Sequence, residues 1–440
     1  MSYHLLSYIK HTIHQYCIHQ TTSCQHLATF SLSLFSCQPS VHPTLIYWHR
    51  SAPNPHASRF LKQLSTMKYH KLNLATLPDD LFTKQTDVKR WMDLTTSCDG
   101  GFPPNSLNRV CPIERDVEIE RLFGISFYML GNIFPFILPL LLVSSLISQV
   151  GSVLLKILLA YFAILFIIAK YNFAKFTRKY NRPKDLSPTD MKDNQYLFTE
   201  RNNQKYTSMQ FVWSESIQRP ALLEKAVIFC VIPHGVAPLG ITAYPVWSKL
   251  FNDKLCHWTC APIVLKIPIL KTYMKRIGYI PAKAKNISDT LTKKEENVGI
   301  ILDGIAGMFQ SHDEIGHVMN RKGIIKIALR SGVPIVPVYG FGHTSLWKVV
   351  VDPFRVLEWL SLKLDVALTP FFGRAGWFLG PPRRVAVCVC LGEPIECPKI
   401  ENPTQEEIDK FHGLLLKGYE NVFEQHKKAY GWGDKTLQFV

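Results

Sequence analysis

Acidic side chains are absent from the first 66 residues of this 440-residue chain, where neither Asp nor Glu occurs. The same segment holds eight of the chain's 16 histidines, and such a composition is not typical of a packed domain. The segment is rich in Ser, as transit peptides are. However, Arg50 and Arg59 are its only arginines, and no apolar segment with a small-residue cleavage site follows. We therefore interpret residues 1–66 as disordered, or as an overextended start with the true beginning at Met67, and assign them no function.

A disulfide framework is also lacking. The 11 cysteines are an odd number without a regular spacing, and Cys388 and Cys390 lie two apart in an apolar run. We interpret the cysteines as reduced and facing the cytosol. Cys256, His257 and Cys260 suggest a zinc site, but further ligands at a suitable spacing are missing, so we expect no bound metal.

No linker rich in Gly, Ser or Pro divides the second half of the chain, which predicts one main catalytic domain with additions. Lys and Arg total 50 against 34 Asp and Glu, giving a formal charge of +16. This excess suits an anionic membrane face, or a polyanion such as nucleic acid or a nucleotide phosphate. Because the basic residues are spread along the chain, we expect no nucleic-acid partner.

Formal charge almost disappears between Arg121 and Lys170, where Lys156 is the only charged residue. A membrane span takes about 20 apolar residues, so this stretch is long enough for two helices around a partly polar, Gly-containing break at 144–151. Two buried helices of a soluble core are the alternative, although a soluble helix seldom lacks a polar face for so long. Basic residues flank both ends, and the positive-inside preference therefore places both ends and the catalytic part in the cytosol.

From about residue 220 the pattern changes to short β-rich runs that alternate with helical periodicity. This alternation predicts an α/β sheet with flanking helices. The predicted strands are 226–232, 298–302, 335–338 and 385–391. The predicted helices are one that Ser288 caps and that runs towards Lys294, one over Gly323–Ser331 that Gly332 ends, and one opened by the capping box of Thr404 and Glu407. The last helix is expected to bury Ile408, Phe411, Leu415 and Phe423.

The predicted strand 226–232 runs directly into Pro233, His234 and Gly235. A histidine at the carboxyl end of a buried strand is where open α/β sheets build active sites. Pro233 restricts the backbone before His234, and Gly235 lets the backbone approach a reacting carbonyl closely. Near neutral pH, imidazole can take the proton of an alcohol as that alcohol attacks a thioester. From these residues alone, a structural turn histidine explains the pattern equally well.

This block resembles the His-Pro-His-Gly signature of the diacylglycerol acyltransferase type 2 family, which also includes monoacylglycerol and wax alcohol acyltransferases. The resemblance covers roughly 193–440 and implies that His234, the second histidine of the signature, is catalytic, with Pro233 and Gly235 beside it. Ile232 replaces the first histidine, so any part that this histidine plays in orienting the pair is missing. Related glycerol-phosphate acyltransferases carry Asp five positions after the histidine; Leu239 stands there, which disfavours a phosphorylated acceptor of that kind.

A second block, 298–309, is similar to the family's Gly-rich turn and follows an arginine-glycine segment that begins at Arg276. Asp303 stands where the family usually has Gly, and Gly307 stands where it usually has Glu. Asp303 is therefore either a replacement carboxylate near the site or a strand-end cap of the following turn. We include it among the candidate substrate-binding residues.

The third block, 321–342, is the most specific part of the resemblance and leads from a basic helix into Val-Pro-Val-Tyr-Gly-Phe-Gly. Charge-assisted bonds from this helix to the phosphates of CoA are one interpretation of its basic residues, and a solvated basic face is the other. These residues are Arg321, Lys322, Lys326 and Arg330. His343 stands where the family often has an acid, and we interpret it as a tolerated substitution rather than as a second base.

We accordingly divide the chain into the leader 1–66, an N-terminal cytosolic segment 67–120, a transmembrane hairpin 121–170 and an acyltransferase domain 193–440. The resemblance implies transfer of a fatty acyl group from acyl-CoA to diacylglycerol in the endoplasmic reticulum membrane, with no cofactor. Monoacylglycerol or a wax alcohol is the alternative acceptor. A homo-oligomer is compatible with this prediction. A non-catalytic lipid-binding relative is the competing hypothesis, because Ile232 and Gly307 both depart from the family's pattern.

Overall fold

The computed structural model describes 67–77, 92–112, 203–218, 224–242, 247, 254–266, 271, 274–275, 278–310, 314–365 and 367–440, together with eight positions between 152 and 163. The predicted leader 1–66 lies outside the described residues, and so does most of the predicted hairpin 121–170. The eight described positions between 152 and 163 are helical. Within the described part of the chain, no helix combines the length and apolar character that a membrane crossing requires. The hairpin stays a prediction.

The described residues include short strands and four α-helices whose bounds are described at both ends. The strands are β1 (Lys68–Asn73), β2 (Thr96–Asp99), β3 (Gln210–Ser214), β4 (Ile228–Ile232), β5 (Cys256–Cys260), β6 (Ile280–Pro281), β7 (Asn297–Ile301), β8 (Glu314–Gly316), β9 (Ile335–Phe341), β10 (Lys348–Val349), β11 (Phe371–Phe372), β12 (Cys388–Leu391) and β13 (Leu437–Phe439). The helices are α1 (Ala284–Thr292), α2 (Gly323–Ser331), α3 (Val356–Leu364) and α4 (Gln405–Tyr430). Single 3-10 turns include Leu239–Thr242, Ala306–Phe309 and His343–Ser345.

A mixed sheet of nine described strands forms the centre, in the order β2-β1-β3-β12-β9-β4-β7-β5-β6. β4 lies between β9 and β7 and runs parallel to both, so the carboxyl ends of these three strands meet at one edge. β12 runs antiparallel to β9 and parallel to β3. β1 and β2 come from the segment 67–120, ahead of the predicted hairpin, so this sheet draws on both sides of it.

Both faces of the central strands are apolar, as expected of strands buried in the middle of a sheet. Side chains alternate along β4: Phe229 and Val231 join a core that contains Trp213, Trp247 and Trp258. The intervening side chains, Ile228, Cys230 and Ile232, pack on the opposite face, where α1, α2 and α4 lie. The predicted α/β sheet with flanking helices is thereby confirmed.

Helix α4 closes the helical face of the sheet. Thr404 and Glu407 form a capping box at its start, and Gly431, in the left-handed region, ends it. The four side chains expected to be buried are buried: Ile408, Phe411, Leu415 and Phe423. The ring of Phe423 stacks on that of Phe341 in β9 at 5.6 Å between centroids, which fastens the helix to the strand.

Two local predictions have different outcomes. The helix over Gly323–Ser331 that Gly332 ends is confirmed, with Gly332 in the left-handed region. The predicted start at Ser288 is wrong, because α1 begins at Ala284 and contains Ser288. Lys283 already has the extended backbone that a capping position requires, so the chain turns into the helix directly after β6.

Packing of α4 against the sheet is testable with two neighbouring leucines. We expect Leu415→Ala to lower the free energy of unfolding by about 2–5 kcal/mol, because Leu415 is buried and its removal leaves a cavity. Leu414 is exposed, so Leu414→Ala is the matched control and is expected to change stability by less than about 0.5 kcal/mol. Denaturant unfolding of the detergent-purified protein measures both, and equal effects would contradict this packing.

Candidate active site

Three neighbouring parallel strands each place a polar residue two positions beyond their last residue. β4 is followed by His234, β7 by Asp303 and β9 by His343. Because carboxyl ends of parallel strands share one edge, residues far apart in the chain meet here. Contacts of 2.9 Å join His234 to Asp303 and Pro233 to His343, which are 69 and 110 positions apart. This edge is where the sequence predicts the active site.

The tautomer of His234 follows from its hydrogen bond. Its Nδ1 lies 2.7 Å from the carbonyl oxygen of Gly235. A carbonyl oxygen only accepts, so Nδ1 carries the hydrogen and Nε2 keeps a free lone pair. Burial lowers the pKa of His234 below 6.5, with the bond to Gly235 acting in the opposite direction. The imidazole is therefore neutral near pH 7, in the form that can take a proton at Nε2.

Asp303 is fully buried and is held by the backbone of the histidine loop. Its Oδ2 accepts a hydrogen bond of 2.9 Å from the main-chain amide of His234. Burial raises the pKa of Asp303 from 3.8 to about 7, while this hydrogen bond and the charge of Arg321 act to lower it. Among the described residues, the other oxygen, Oδ1, has no hydrogen-bond partner. Asp303 therefore supports the loop that carries His234 and brings a carboxyl group to the same edge.

His343 braces the loop from the other side. Its Nδ1 donates to the carbonyl oxygen of Pro233 at 2.9 Å, and its Nε2 accepts from the amide of Gly240 at 3.0 Å. Burial lowers the pKa of His343 to about 4, so the ring is neutral. Because both ring nitrogens are engaged within the protein, this geometry supports a structural role and argues against a second base.

Glycines make the contact between His343 and the loop that carries His234 possible. Gly235 has a φ of +59°, and a Cβ there would come within 2.6 Å of the carbonyl oxygen of His343. A Cβ at Gly340 or at Gly240 would overlap the ring of His343. The close approach that Gly235 allows is thus to the His343 turn, whereas the sequence suggested an approach to the reacting carbonyl.

Two main-chain amides at the loop are candidate donors to a ligand. The amide of His234 is occupied by Asp303, but the amides of Gly235 and Val236 have no hydrogen-bond acceptor among the described residues. Amides of this kind stabilise an oxyanion when they lie near a reacting carbonyl.

The structure separates the basic residues expected to bind acyl-CoA. Arg321 lies nearest to the site, since its charge acts on Asp303 and its Nη2 would lie 3.8 Å from a Cβ at Gly304. Lys322 instead pairs with Asp409 of α4 at 2.7 Å. Lys326, one turn further along α2, is exposed to solvent.

Arg330, at the end of α2, donates from Nε to the carbonyl oxygen of Glu401 at 3.1 Å. Among the described residues, the side chains of Arg321 and Lys326 make no bond of this kind, and contact of any of the four with acyl-CoA stays a prediction.

Glu314 supports the site and was not singled out from the sequence. Its buried carboxylate accepts from the hydroxyls of Tyr339 and Thr344 and pairs with Lys435 at 2.7 Å. Thr344 directly follows His343, so this network ties the histidine turn to the carboxyl-terminal strand β13. A Glu that follows Asp313 and precedes Ile315 carries no sequence signal of such burial.

The cysteine and histidine of β5 do not converge. Cys256 and Cys260 lie on one face of the strand, and His257, an odd number of positions away from each, lies on the other. His257 is engaged by the carbonyl oxygen of Gly278 at 2.9 Å and by the carboxylate of Glu296 at 2.7 Å. Among the described residues, no cluster has the arrangement of a metal site.

Comparison with known proteins identifies the family. Residues 160–440 match the family model described as diacylglycerol acyltransferase, which is more than half of the chain. The chain belongs to the diacylglycerol acyltransferase family. The resemblance seen in the sequence is thereby confirmed.

Individual members of the family give the degree of similarity. Diacylglycerol O-acyltransferase 2 of Xenopus laevis is 29% identical over 234 residues, which are 48% of this chain and 64% of that protein. The Homo sapiens protein of the same name is 30% identical over 229 residues, 48% of this chain and 59% of that one. Acyl-CoA wax alcohol acyltransferase 2 of Homo sapiens is 32% identical over 217 residues, which are 45% of this chain and 65% of that protein. The chain thus spans less than two thirds of the length of these curated relatives.

Among solved structures, the 1-acyl-sn-glycerophosphate acyltransferase of Thermotoga maritima is similar at 16% identity with a TM-score of 0.34. The match covers 69% of this chain and 97% of that chain.

Two departures from the family's pattern are coupled in space. A Cβ at Gly307 would overlap the carboxylate of Asp303. The family usually has Glu where this member has Gly307 and Gly where it has Asp303. In this chain the carboxylate of Asp303 fills the space beside residue 307, so a side chain at 307 and the carboxylate exclude each other.

The third departure, Ile232, lies in an apolar environment. Its side chain is fully buried on the helical face of the sheet, and a Cβ at Gly316 would lie 3.2 Å from its Cδ1. Phe439 of β13 contacts the same position at Gly316. The place of the family's first histidine is therefore a core position in this member.

The overlap between residues 303 and 307 predicts a coupling that double-mutant analysis can measure. We expect Gly307→Ala to lower the free energy of unfolding by about 1–3 kcal/mol, because the new methyl group displaces the Asp303 carboxylate. In an Asp303→Ala background, Gly307→Ala is expected to lower the free energy of unfolding far less. Gly413→Ala is the control, since it meets open space on α4. Equal effects of Gly307→Ala in both backgrounds would contradict the overlap.

Ionisation of Asp303 predicts a pH dependence of stability. The pKa of Asp303 in the folded protein is raised from 3.8 to about 7. The contribution of Asp303 to the free energy of unfolding is therefore most favourable below pH 4 and is lost as the pH rises through 7. The difference between these two pKa values corresponds to a change of at most about 4 kcal/mol in the free energy of unfolding. We expect the melting temperature of Asp303→Asn, relative to the wild type, to increase from pH 5 to pH 8.

The control for this series is Asp409→Asn, because the bond from Lys322 lowers the pKa of Asp409 and leaves it ionised throughout the range. If the difference in melting temperature between Asp303→Asn and the wild type is constant from pH 5 to pH 8, Asp303 does not titrate in that range.

Proposed function

We propose that this chain transfers a fatty acyl group from acyl-CoA to the free hydroxyl of diacylglycerol, forming triacylglycerol at the cytosolic face of the endoplasmic reticulum membrane. The observation that carries the proposal is the state of His234. It is neutral, its Nδ1 donates to Gly235, and its Nε2 has no hydrogen-bond partner within the described part of the chain. Membership of the diacylglycerol acyltransferase family supports this choice of reaction.

The proposed reaction is a direct transfer. Nε2 of His234 takes the proton of the acceptor's hydroxyl as the hydroxyl oxygen attacks the thioester carbonyl carbon. The negative charge then rests on the former carbonyl oxygen, which the amides of Gly235 and Val236 stabilise. Collapse of this intermediate breaks the carbon–sulfur bond. The CoA thiolate leaves and recovers the proton from the imidazolium of His234. Neither a covalent acyl-enzyme nor a cofactor takes part.

Asp303 acts as a positioning residue in this proposal. Its bond to the amide of His234 holds the main chain from which the imidazole extends. It occupies the His234 amide itself, which leaves the next two amides to face the oxyanion. Arg321 and Lys326 are the candidate partners of the CoA phosphates. Lys322 joins them only if its pair with Asp409 opens.

The acceptor is chosen by family membership and not by the geometry of a pocket. A relative whose name specifies wax alcohol shares 32% identity with this chain, so a fatty alcohol is the second candidate acceptor. A non-catalytic lipid-binding protein is the competing function. Acceptor specificity and catalysis are therefore measured together.

The deciding experiment expresses the chain, from Met1 and from Met67, in a yeast strain unable to make triacylglycerol. We expect triacylglycerol to return with the wild type and acyl transfer by isolated membranes to fall about 10²–10⁴-fold with His234→Ala. His70→Ala is the matched control, because burial also lowers the pKa of His70, yet it lies on the distant strand β1. Since the pKa of His234 is below 6.5, the acid limb of the wild-type pH profile is expected to have its midpoint below pH 6.5.

The other outcomes have defined meanings. Wax esters in place of triacylglycerol would replace diacylglycerol by a fatty alcohol as the acceptor. Activity that persists in His234→Ala at normal abundance would reject His234 as the base. Absence of every neutral lipid product, with protein present in the membrane, would favour the non-catalytic function.

A further inference from the structure

Large apolar side chains are exposed on two segments of the chain, 351–364 and 372–378. We call this group the docking surface and define it by Val351, Phe354, Trp359, Phe372, Trp377 and Phe378, which are between 38% and 86% exposed. Single exposed apolar residues are ordinary on protein surfaces, whereas a group of large aromatic residues indicates an interaction site.

One ring contact and a strand pair make part of this surface continuous. β10 and β11 pair antiparallel with Lys348 opposite Phe372, which places these two side chains next to each other on one face. The ring of Phe372 packs against that of Phe378 at 5.4 Å between centroids. The next residue pair, in which the amide of Val350 donates to the carbonyl oxygen of Pro370 at 2.9 Å, starts the loop that leads to Phe354 and α3.

Helix α3 has its polarity inverted relative to a surface helix of a soluble protein. It buries Glu358 and Ser361 and exposes Trp359 at 59% and Leu362 at 49%. The buried polar groups are satisfied inside the protein, because Glu358 accepts from Arg355 and Ser361 accepts from the amide of Leu368. The outward face of α3 therefore suits an apolar environment better than water.

Charges around the docking surface favour a lipid headgroup region as its occupant. Asp352 is half-buried, and its carboxylate accepts from the amides of Val356 and Glu358. Lys348 and Lys363 are exposed and have no carboxylate partner among the described residues. Lys363 Nζ lies 4.9 Å from the centroid of the Trp359 ring.

Tryptophan and lysine in contact at an apolar surface are typical of proteins that lie in a membrane interface, where the ring enters the apolar boundary and the ammonium group meets phosphate. Asp365, at the carboxyl end of α3, is exposed and works against binding to anionic lipid. The exposed charges named here are therefore one negative charge, on Asp365, and two positive charges, on Lys348 and Lys363.

The docking surface adjoins the catalytic edge on two sides. α3 packs against the turn Ala306–Phe309, which begins three residues after Asp303. β10 begins three residues after the turn His343–Ser345, which braces the histidine loop. A lipid surface that covers the docking surface would thus meet the site edge, where an apolar acceptor arrives by diffusion within the lipid.

We propose that the docking surface inserts into the headgroup region of an anionic phospholipid bilayer, with Trp359 and Trp377 at the apolar boundary and Lys348 and Lys363 among the phosphates. This contact is made by the catalytic part itself and is separate from the predicted hairpin. It rests on exposure, polarity and charge, and it holds whether or not the proposed acyl transfer is correct.

The test uses the full chain reconstituted in vesicles of brominated phosphatidylcholine, with and without phosphatidylglycerol. Bromine quenches tryptophan that reaches the apolar boundary. We expect Trp359→Phe/Trp377→Phe to lose part of the quenching seen in the wild type. Trp347→Phe is the control and is expected to keep all of it, because Trp347 is buried at 1% exposure. Lys348→Gln/Lys363→Gln is expected to lose the part that depends on phosphatidylglycerol.

Equal quenching of the wild type and Trp359→Phe/Trp377→Phe would overturn the proposal. If the tryptophans are unquenched and Phe354→Glu/Trp359→Glu instead dissociates an oligomer, the occupant is a second copy of this chain and the proposal is wrong. The series is repeated in His234→Ala, so that failure of the proposed catalysis and failure of lipid docking are read separately. Circular dichroism confirms that each variant is folded.

Discussion

The hydrogen bond from the amide of His234 to the buried carboxylate of Asp303 joins the ends of β4 and β7. A carboxyl group with no exposed surface requires such a partner, because burial penalises its charged form. The bond holds the main chain of the histidine loop, and the imidazole of His234 then takes its orientation from Gly235. The proposed chemistry depends on this arrangement, since a base must present one defined nitrogen to the substrate.

The same edge shows how departures from a family's pattern are accommodated by packing. The carboxylate of Asp303 needs the space that a side chain at 307 would fill, and Gly307 leaves that space open. The ring of His343 needs Gly240 and Gly340 to be without side chains, and it links the β9 turn to the β4 loop through Pro233. Each unusual residue is thus matched by a glycine across the contact.

Burial and exposure are distributed unequally around this edge. On the helical face, the buried Glu314 forms a satisfied polar network that reaches the carboxyl-terminal strand. On the outer side, α3 buries Glu358 and Ser361 and exposes Trp359 and Leu362. A soluble domain has no reason to maintain that inversion. Together with the chain's excess of basic residues, it places the proposed chemistry beside a surface suited to lipid.

Periodicity and capping determined much of this protein from its sequence alone. The alternation of apolar runs with helical patterns predicted the α/β sheet, and the capping box of Thr404 and Glu407 predicted the start of α4, because these signals act within a few residues. The family and the candidate base, His234, were also evident, because a strand that ends in Pro-His-Gly is a local pattern. The cap at Ser288 failed because a neighbouring strand imposed an earlier start, and the strands β1 and β2 were not expected from the segment 67–120.

Only the tertiary structure decided what His343, Asp303 and Gly307 do. The sequence left Asp303 as either a carboxylate of the site or a turn cap, and no local pattern states that its carboxylate lies against residue 307 and the amide of His234. Such contacts arise from the order of β9, β4 and β7 in the sheet, which brings together residues far apart in the chain. Strand order is set by packing of the whole domain, and for this reason the sequence indicated the candidate base, His234, but not its surroundings.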